Sequence, residues 1–389
     1  MMSKNKKLKA KLKTEEEDLM AILRVKLPWE LEEEILSRLP PQSLVRFRSL
    51  CKKWNSLFTD KSFLNNHFPR SRPQFIFLTN SKIYSIDIIN HNSNNPTIKL
   101  HELPSSDIPN RDTLMNYTTI TTCDDLLFYS CWCRESKTAL WNPWLRQVRW
   151  IEFENKQLYV FGLGYDNRRP EKVYKILCYF VCHSKIWRDE DQRVAIYESA
   201  SHTLRFIDKP KEYWPITEIA NKSNVSLNGN IYWFACNFET HEFFIRIFDF
   251  SRESFEPFCL LPCQKNHDMD ELILAVYKGD RFSLLKQSCV TREIGICVTK
   301  NRIGVDGEGV VWIKFMNLST TNLPQLFNKV YRISYFIYEK TLFMCCGSNE
   351  SGVACIYIVR ADLCKRIQID SGMHKCCHCV YTPNLISVT

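Results

Sequence analysis

The sequence predicts a mainly β chain with a small N-terminal α-helical module, the β part forming a propeller-like or other closed all-β domain. Three observations carry this. Strand-like clusters, rich in β-branched and aromatic residues, run from Phe75 almost to the end at spacings of roughly 40 to 50 residues. No long helical pattern separates them, which argues against a parallel α/β sheet. Residues 27–58, by contrast, hold two helical periodicities joined by Pro40-Pro41.

The chain has 389 residues, 45% hydrophobic and 24% charged. That is a globular composition with room for two or three domains. No stretch is apolar over the length of a membrane span, and the first residues lack a secretory pattern. The expected compartment is therefore the nucleus or the cytoplasm. The formal charge is +9. Residues 1–26 carry eight Lys or Arg and four acidic residues, and are expected to form a flexible basic tail. No basic stripe follows it, which argues against a nucleic-acid binder. The 18 cysteines are scattered through hydrophobic runs and read as buried thiols.

In the front unit Pro28 opens the first helix, and Glu30, Glu32, Glu33 and Glu34 suit its dipole. Leu31, Ile35 and Leu39 form a stripe with Leu36 beside them. Pro40 and Pro41 stop the helix. Ser43 is expected to cap the second helix or stand in its first turn. There Leu44, Phe47, Leu50, Cys51 and Trp54 recur at helical spacing. A third short turn is expected at "DKSFLNNHF", with Phe63 and Phe68 packing back. So small a unit is marginal alone, so part of its apolar surface is expected to serve a partner.

This unit resembles an F-box of the plant form. The matching pieces are Leu27-Pro28, "EEILSRLP", "SLVRFRSLCKKWNSL" and "DKSFL". Trp29 and the second proline after Pro40 depart from the pattern without removing an apolar anchor. The resemblance implies docking, over residues 27–70, to a Skp1-like adaptor and through it to cullin and RING proteins. By position, the implied adaptor contacts are Leu27, Pro28, Leu31, Ile35, Leu36, Leu39, Leu44 and Val45. Cys51 and Trp54 are implied to hold the helical core.

Residues 75–389 read as a β domain. Phrases such as "LLFYS", "LWNPWLRQVRWI", "YKILCYF", "VAIYESASHTLRFI", "VSLNGNIYWFA" and "IRIFDFSRESFEPF" resemble, in order, the type 1 F-box-associated, kelch-like domain. The resemblance thins beyond Phe282, and "CVYTPNLISV" looks like a last strand that returns to close the ring. A β-sandwich or two smaller β domains share the same strand texture.

The sequence offers little chemistry. "FGLGYD" lacks the third glycine of a phosphate cradle and reads as a tight turn. "HDMDE" at His267 fits no metal motif and reads as a solvated loop. "HKCCHC" at 374–379 offers ligands, but neighbours on a strand point to opposite faces. Cys182-His183 fails as a nucleophile pair for the same reason. "NHNSNNPTIKLHELPSSDIPNRD" reads as a polar loop over 90–112. Trp144, Arg146 and Arg168 are candidate target-binding residues, because aromatic and basic side chains suit protein recognition.

The expected function is substrate recognition in a ubiquitin ligase of the Skp1–cullin–F-box type, with no catalytic residue, cofactor or metal of its own. The alternatives are an adaptor-bound binding module that directs no turnover, and a small-molecule-binding β domain or enzyme.

Overall fold

A computed structural model describes residues 27–39, 41–60, 62–63, 72–79, 82–103, 118–123, 126–131, 137–152, 158–169, 172–180, 193–207, 224–237, 239–240, 242–267, 269–304, 307, 309–319, 322–326, 333–347, 353–360, 363–369 and 377–388. The tail at 1–26, Pro40, Phe68, Cys182-His183 and residues 374–376 lie outside these. The chain divides into two compact units, 1–70 and 71–389.

The front unit holds α1 (Trp29–Ser37), α2 (Pro41–Phe47) and α3 (Lys52–Leu57). Pro28 is the N-cap of α1, and its carbonyl accepts the Leu31 and Glu32 amides at 3.0 and 3.1 Å. Ser43 falls in the first turn of α2. The Cys51 thiol caps α3 by accepting the Trp54 amide at 3.4 Å. Leu36, Leu44, Leu57, Phe58 and Phe63 form the buried core. The Asp60 carboxylate accepts the Phe63 amide at 3.0 Å, which turns that ring towards Phe58, 5.5 Å away.

The second unit is six four-stranded antiparallel sheets, or blades. Blade 1 holds β1 (Gln74–Leu78), β2 (Ile83–Ile89) and β3 (Thr97–Leu103). Blade 2 holds β4 (Thr118–Cys123), β5 (Leu126–Cys131), β6 (Lys137–Asn142) and β7 (Gln147–Glu152). Blade 3 holds β8 (Leu158–Tyr165), β9 (Tyr174–Phe180), β10 (Arg193–Glu198) and β11 (Thr203–Ile207). Blade 4 holds β12 (Val225–Leu227), β13 (Asn230–Cys236), β14 (Phe243–Asp249) and β15 (Ser254–Leu260). Blade 5 holds β16 (Glu271–Tyr277), β17 (Arg281–Gln287), β18 (Ile294–Thr299) and β19 (Trp312–Leu318). Blade 6 holds β20 (Ser334–Tyr338), β21 (Thr341–Gly347), β22 (Ala354–Arg360) and β23 (Leu363–Gln368). The last strand, β24 (Cys377–Tyr381), returns to pair with β1 and completes blade 1. The inner strands β24, β4, β8, β12, β16 and β20 neighbour one another around a closed ring. The fold is thus a six-bladed β-propeller rather than a sandwich.

Each blade is packed on both sides, so its middle strands lose the alternation of a half-buried sheet. Residues 230–235 of β13 and 354–359 of β22 are all buried, which explains the unbroken apolar runs of the sequence. An apolar cluster fills each of the six seams between neighbouring blades.

Two sequence readings change. Thr97–Leu103, inside the expected polar loop, is the outer strand of blade 1. Arg360 holds the turn before it, donating to the carbonyls of Asn92 and Ser93 at 2.8 Å each. Gly162 and Gly164 are not in a tight turn but inside β8. A Cβ at Gly164 would stand 2.2 Å from the Gly229 carbonyl oxygen and from the Phe250 ring, so the position needs close approach between blades 3 and 4.

Within a blade, the first and third turns leave at one end of the sheet, here called the turn face. Blades 3 to 5 are laced together there. The Asn167 amide donates to the Asn228 carbonyl at 3.1 Å, and the Asn228 amide to the Ile303 carbonyl at 3.0 Å. The Ile303 N–H donates to the Asp280 carbonyl at 2.9 Å. Under blade 2 the C-terminal segment 382–388 does the same work. Buried Asn142 donates to Asn384 Oδ1 at 3.0 Å and to the Ile386 carbonyl at 2.7 Å. It accepts the Trp144 amide at 3.0 Å and the Tyr381 hydroxyl at 3.3 Å.

Replacing Asn142 with Ala removes these four hydrogen bonds. The expected loss is about 1–3 kcal/mol of stability. A denaturant midpoint equal to that of the unsubstituted protein would show that the segment does not lock the ring.

Candidate protein-docking surfaces

The front unit presents one face of α1. Leu27, Leu31 and Ile35 are 49, 51 and 50% exposed, and Pro28 is exposed beside them. Leu31 and Ile35, four apart, stand one turn above the other. Leu39 and Val45 are half-buried. Leu36 and Leu44, grouped with the adaptor contacts on sequence, are 3% and 0% exposed. They are buried within this chain and do not belong to the exposed face of α1. Leu50 is the reverse: it continues the second helical stripe in sequence, yet it follows α2 and is exposed.

Trp54 packs on Phe47 with ring centroids 5.6 Å apart, and its indole N–H donates to Glu32 at 3.4 Å. That tie fixes α3 against α1. Cys51 is exposed and acts through its cap. Trp29, the departure from the F-box pattern, is half-buried under the Lys53 ammonium, 3.5 Å from its ring centroid.

On the second unit, Trp144, Arg146 and Arg168 all stand in turn-face turns. Trp144 and Arg146 are in the third turn of blade 2. The Asn142 carboxamide oxygen accepts the Trp144 and Leu145 amides and shapes that turn. Arg146 follows at φ 54°, with its side chain exposed. Glu253 repeats the conformation at φ 57° in blade 4, four residues after Asp249 as Arg146 is after Asn142. Trp144 is half-buried against the cluster between blades 1 and 2. Its indole packs against that seam with Nε1 buried. Arg168 is exposed in the first turn of blade 3.

Sequence reasoning missed the polar residues beneath these turns. Lys175, nearly buried on β9, donates to Glu253 at 2.8 Å across the seam between blades 3 and 4, and Arg205 binds the same carboxylate. Burial works to raise the Glu253 carboxyl, but hydrogen bonds from Arg205 and Lys175 outweigh it and hold the group below its ordinary value. The signal in sequence was only the charge of Lys175 within an apolar strand.

The "HDMDE" loop is also not merely solvated. Asp270 is buried and accepts the amides of Asn266 and Cys289, both at 3.0 Å, which fixes the entry to blade 5. Among the described residues, no three His, Cys, Asp or Glu side chains are grouped to hold a metal ion. Burial pushes the Cys178 thiol far above its ordinary value and Cys346 up to about 12. Neither is poised as a nucleophile.

Residues 25–66 match the F-box domain, and residues 74–388 match the F-box associated beta propeller domain. The chain belongs to the plant F-box proteins with an F-box-associated β-propeller. The family match runs through the whole propeller, including the part beyond Phe282 where the resemblance thins by eye. "Protein SUPPRESSOR OF NIM1 1" of Arabidopsis thaliana is 66% identical over 368 residues, covering 93% of this F-box protein and 98% of that one. Another F-box protein of the same plant is 53% identical over 371 residues, covering 94% and 97%. A solved microbial sialidase, Hz136, aligns at 8% identity and a TM-score of 0.42 over 79% of this chain and 70% of its own, and carries no argument about function.

Two outcomes are expected. Leu44→Ala should cost about 2–5 kcal/mol, enough to open a unit this small, whereas Leu31→Ala should stay within about 0.5 kcal/mol. Amide exchange in α1 to α3 reads the contrast, and equal protection in both variants contradicts the burial described above. Glu253→Gln should destabilise the propeller at neutral pH. Because the folded carboxyl lies below its ordinary value of 4.5, its contribution is present above that value and fades as the pH falls through the folded value. A wild-type advantage that persists unchanged in strong acid would contradict this.

Proposed function

We propose that this F-box protein is the substrate-recognition subunit of a Skp1–cullin–F-box ubiquitin ligase. The F-box docks to the Skp1-like adaptor, which links it to cullin and RING proteins, and the propeller captures the target protein. The observation that carries the reading is the solvent-exposed stripe Leu27, Leu31 and Ile35 on a unit whose core is already filled by other residues. Exposed large aliphatic side chains on one helix face are costly unless a partner covers them.

The chain's contribution is positional. Binding adaptor and target together raises the effective concentration of a target lysine near a ubiquitin-loaded enzyme held elsewhere in the complex. No catalytic side chain is needed from this subunit. The turn face, laced across blades 3 to 5, supplies a stiff platform for capture, with Arg146 and Arg168 offered from its turns.

Leu31→Asp combined with Ile35→Asp should abolish co-purification with a Skp1-like adaptor while leaving propeller unfolding unchanged. Two carboxylates forced into an apolar interface must be desolvated or protonated, which outweighs the roughly 1.5–3 kcal/mol offered by each aliphatic side chain. Normal recovery of the adaptor with the doubly substituted chain would overturn the assignment of this face.

A further inference from the structure

We propose that Trp29, with Lys53 over its ring, is a positioning residue of the adaptor-docking face. Together with the Glu32–Trp54 bond it clamps α1 onto α3 and sets Leu31 and Ile35 in place before the adaptor arrives. The inference rests on the F-box docking to a Skp1-like adaptor, and it names what orders the docking helix.

Helix length is the first support. α1 has nine residues and α3 six. Helices this short are not stable in water alone, because fixing the first turn costs more than so few hydrogen bonds offset. Contacts with other elements must therefore hold α1. The stripe does not supply them within this unit, since Leu27, Leu31 and Ile35 are exposed. Leu36 is buried, but it stands near the C-terminal end of α1. Trp29 is the first residue of the helix and the half-buried side chain at the other end.

Placement is the second. At 3.6 residues per turn Trp29 falls within about 20° of Leu36 and about 160° from Leu31. It is therefore turned away from the docking stripe and acts on it through the helix. Glu32, three residues on, lies on the same side as Trp29. Their partners, Lys53 and Trp54, are consecutive on α3. Lys53 Nζ lies 3.5 Å from the Trp29 ring centroid, and the Trp54 indole N–H donates to Glu32 Oε2 at 3.4 Å. Two ties of different chemistry thus join one turn of α1 to one turn of α3. The third support is sequence. Trp29 is where the chain departs from the F-box pattern, so the general pattern does not account for the clamp.

The consequence is kinetic. A docking helix that is ordered only part of the time binds with an affinity reduced by that fraction. A clamp that raises the ordered fraction speeds association and leaves the lifetime of the complex unchanged. A direct contact with the adaptor would instead lengthen that lifetime.

The test measures association and dissociation rates of the full chain on an immobilised Skp1-like adaptor, with amide exchange of α1 in the free chain. Lys53→Ala should slow association about 2- to 5-fold, the worth of one exposed cation–π contact. Trp29→Ala should slow it at least as much, and the double variant no more than Trp29→Ala. Dissociation should stay within about twofold in all three, and α1 protection should fall in step with the association rate. Lys53→Arg keeps a cation for the ring and should restore the unsubstituted rate. Lys52→Ala removes the same charge one residue earlier on α3 and should change neither rate beyond about twofold. Lys53 is exposed, so its variants test the clamp without opening the core. The proposal is overturned if Trp29→Ala or Lys53→Ala leaves association unchanged. It is equally overturned if the loss appears in dissociation, which makes Trp29 an adaptor contact, or if Lys52→Ala matches Lys53→Ala, which makes the effect one of net charge. An unsubstituted chain that binds adaptor while both variants behave like it removes this inference alone. An unsubstituted chain that binds no adaptor removes the ligase reading.

Discussion

The propeller depends on one pairing between residues almost at opposite ends of its sequence. β24 lies antiparallel to β1, with Phe75 opposite Val380, Ile76 opposite Cys379 and Phe77 opposite His378. Bringing these ends together closes a loop of about 300 residues, at an entropic cost of roughly 5 kcal/mol. Backbone hydrogen bonds offset part of that. Side chains from both sides of the closing strand add the rest. Ile76, Cys379 and Tyr381 enter the cluster between blades 1 and 2, and Phe75 and Phe77 the cluster between blades 6 and 1. His378 Nδ1 lies 3.0 Å from Ser334 Oγ on the inner strand of blade 6, so β24 is tied to both neighbours. Without it blade 1 would have an unpaired inner edge, and two blades would lose the surface they pack against.

Closure also decides where function can sit. Once every blade is covered on both sides, its middle strands are committed to packing. Only the turns and the outer strands remain for recognition. On the turn face the turns of blades 3 to 5 are bonded to one another, and Lys175 and Arg205 pair with Glu253 beneath them. Lys175 and Glu253 show how the two roles coexist. The pair lies in the seam between blades 3 and 4, and Glu253 also belongs to the third turn of blade 4. A seam that holds blades together thereby shapes the surface above it.

Much of this architecture was legible in the sequence. Paired strand clusters behind a helical front gave the all-β domain, and the returning "CVYTPNLISV" gave its closure. The number of blades was not legible, because connections differ in length: three residues separate β16 from β17, and twelve separate β9 from β10. The glycines of "FGLGYD" misled because sequence shows that a Cβ is missing but not why. At Gly164 the reason is the approach of Gly229 and Phe250 from the next blade, more than sixty residues away. The F-box resemblance likewise grouped Leu31, Ile35, Leu36 and Leu44 as adaptor contacts. It could not divide them, because the division depends on where α2 and α3 pack. Arg168 was noted for its charge, while the neighbouring Asn167 is held by Ser251 and Asn228 from another blade.

The two surfaces draw on different physics, and that difference suits the roles proposed for them. An adaptor is a constant partner. A stripe of leucine and isoleucine answers it with desolvation, which is strong, weakly directional and little affected by salt. The stripe leaves the unit with a small core, so the binding free energy of any partner that covers this face is also folding free energy for α1 to α3. A target must instead be told from other proteins. Polar and charged side chains on rigid turns reward complementary placement and penalise its absence, since a mismatched segment would desolvate them without compensation. Placing the non-specific attraction on the small marginal unit and the directional one on the closed ring matches each demand to the part able to meet it. The ring, stiffened by its own closure, holds such pairs as Lys175 and Glu253 in fixed positions.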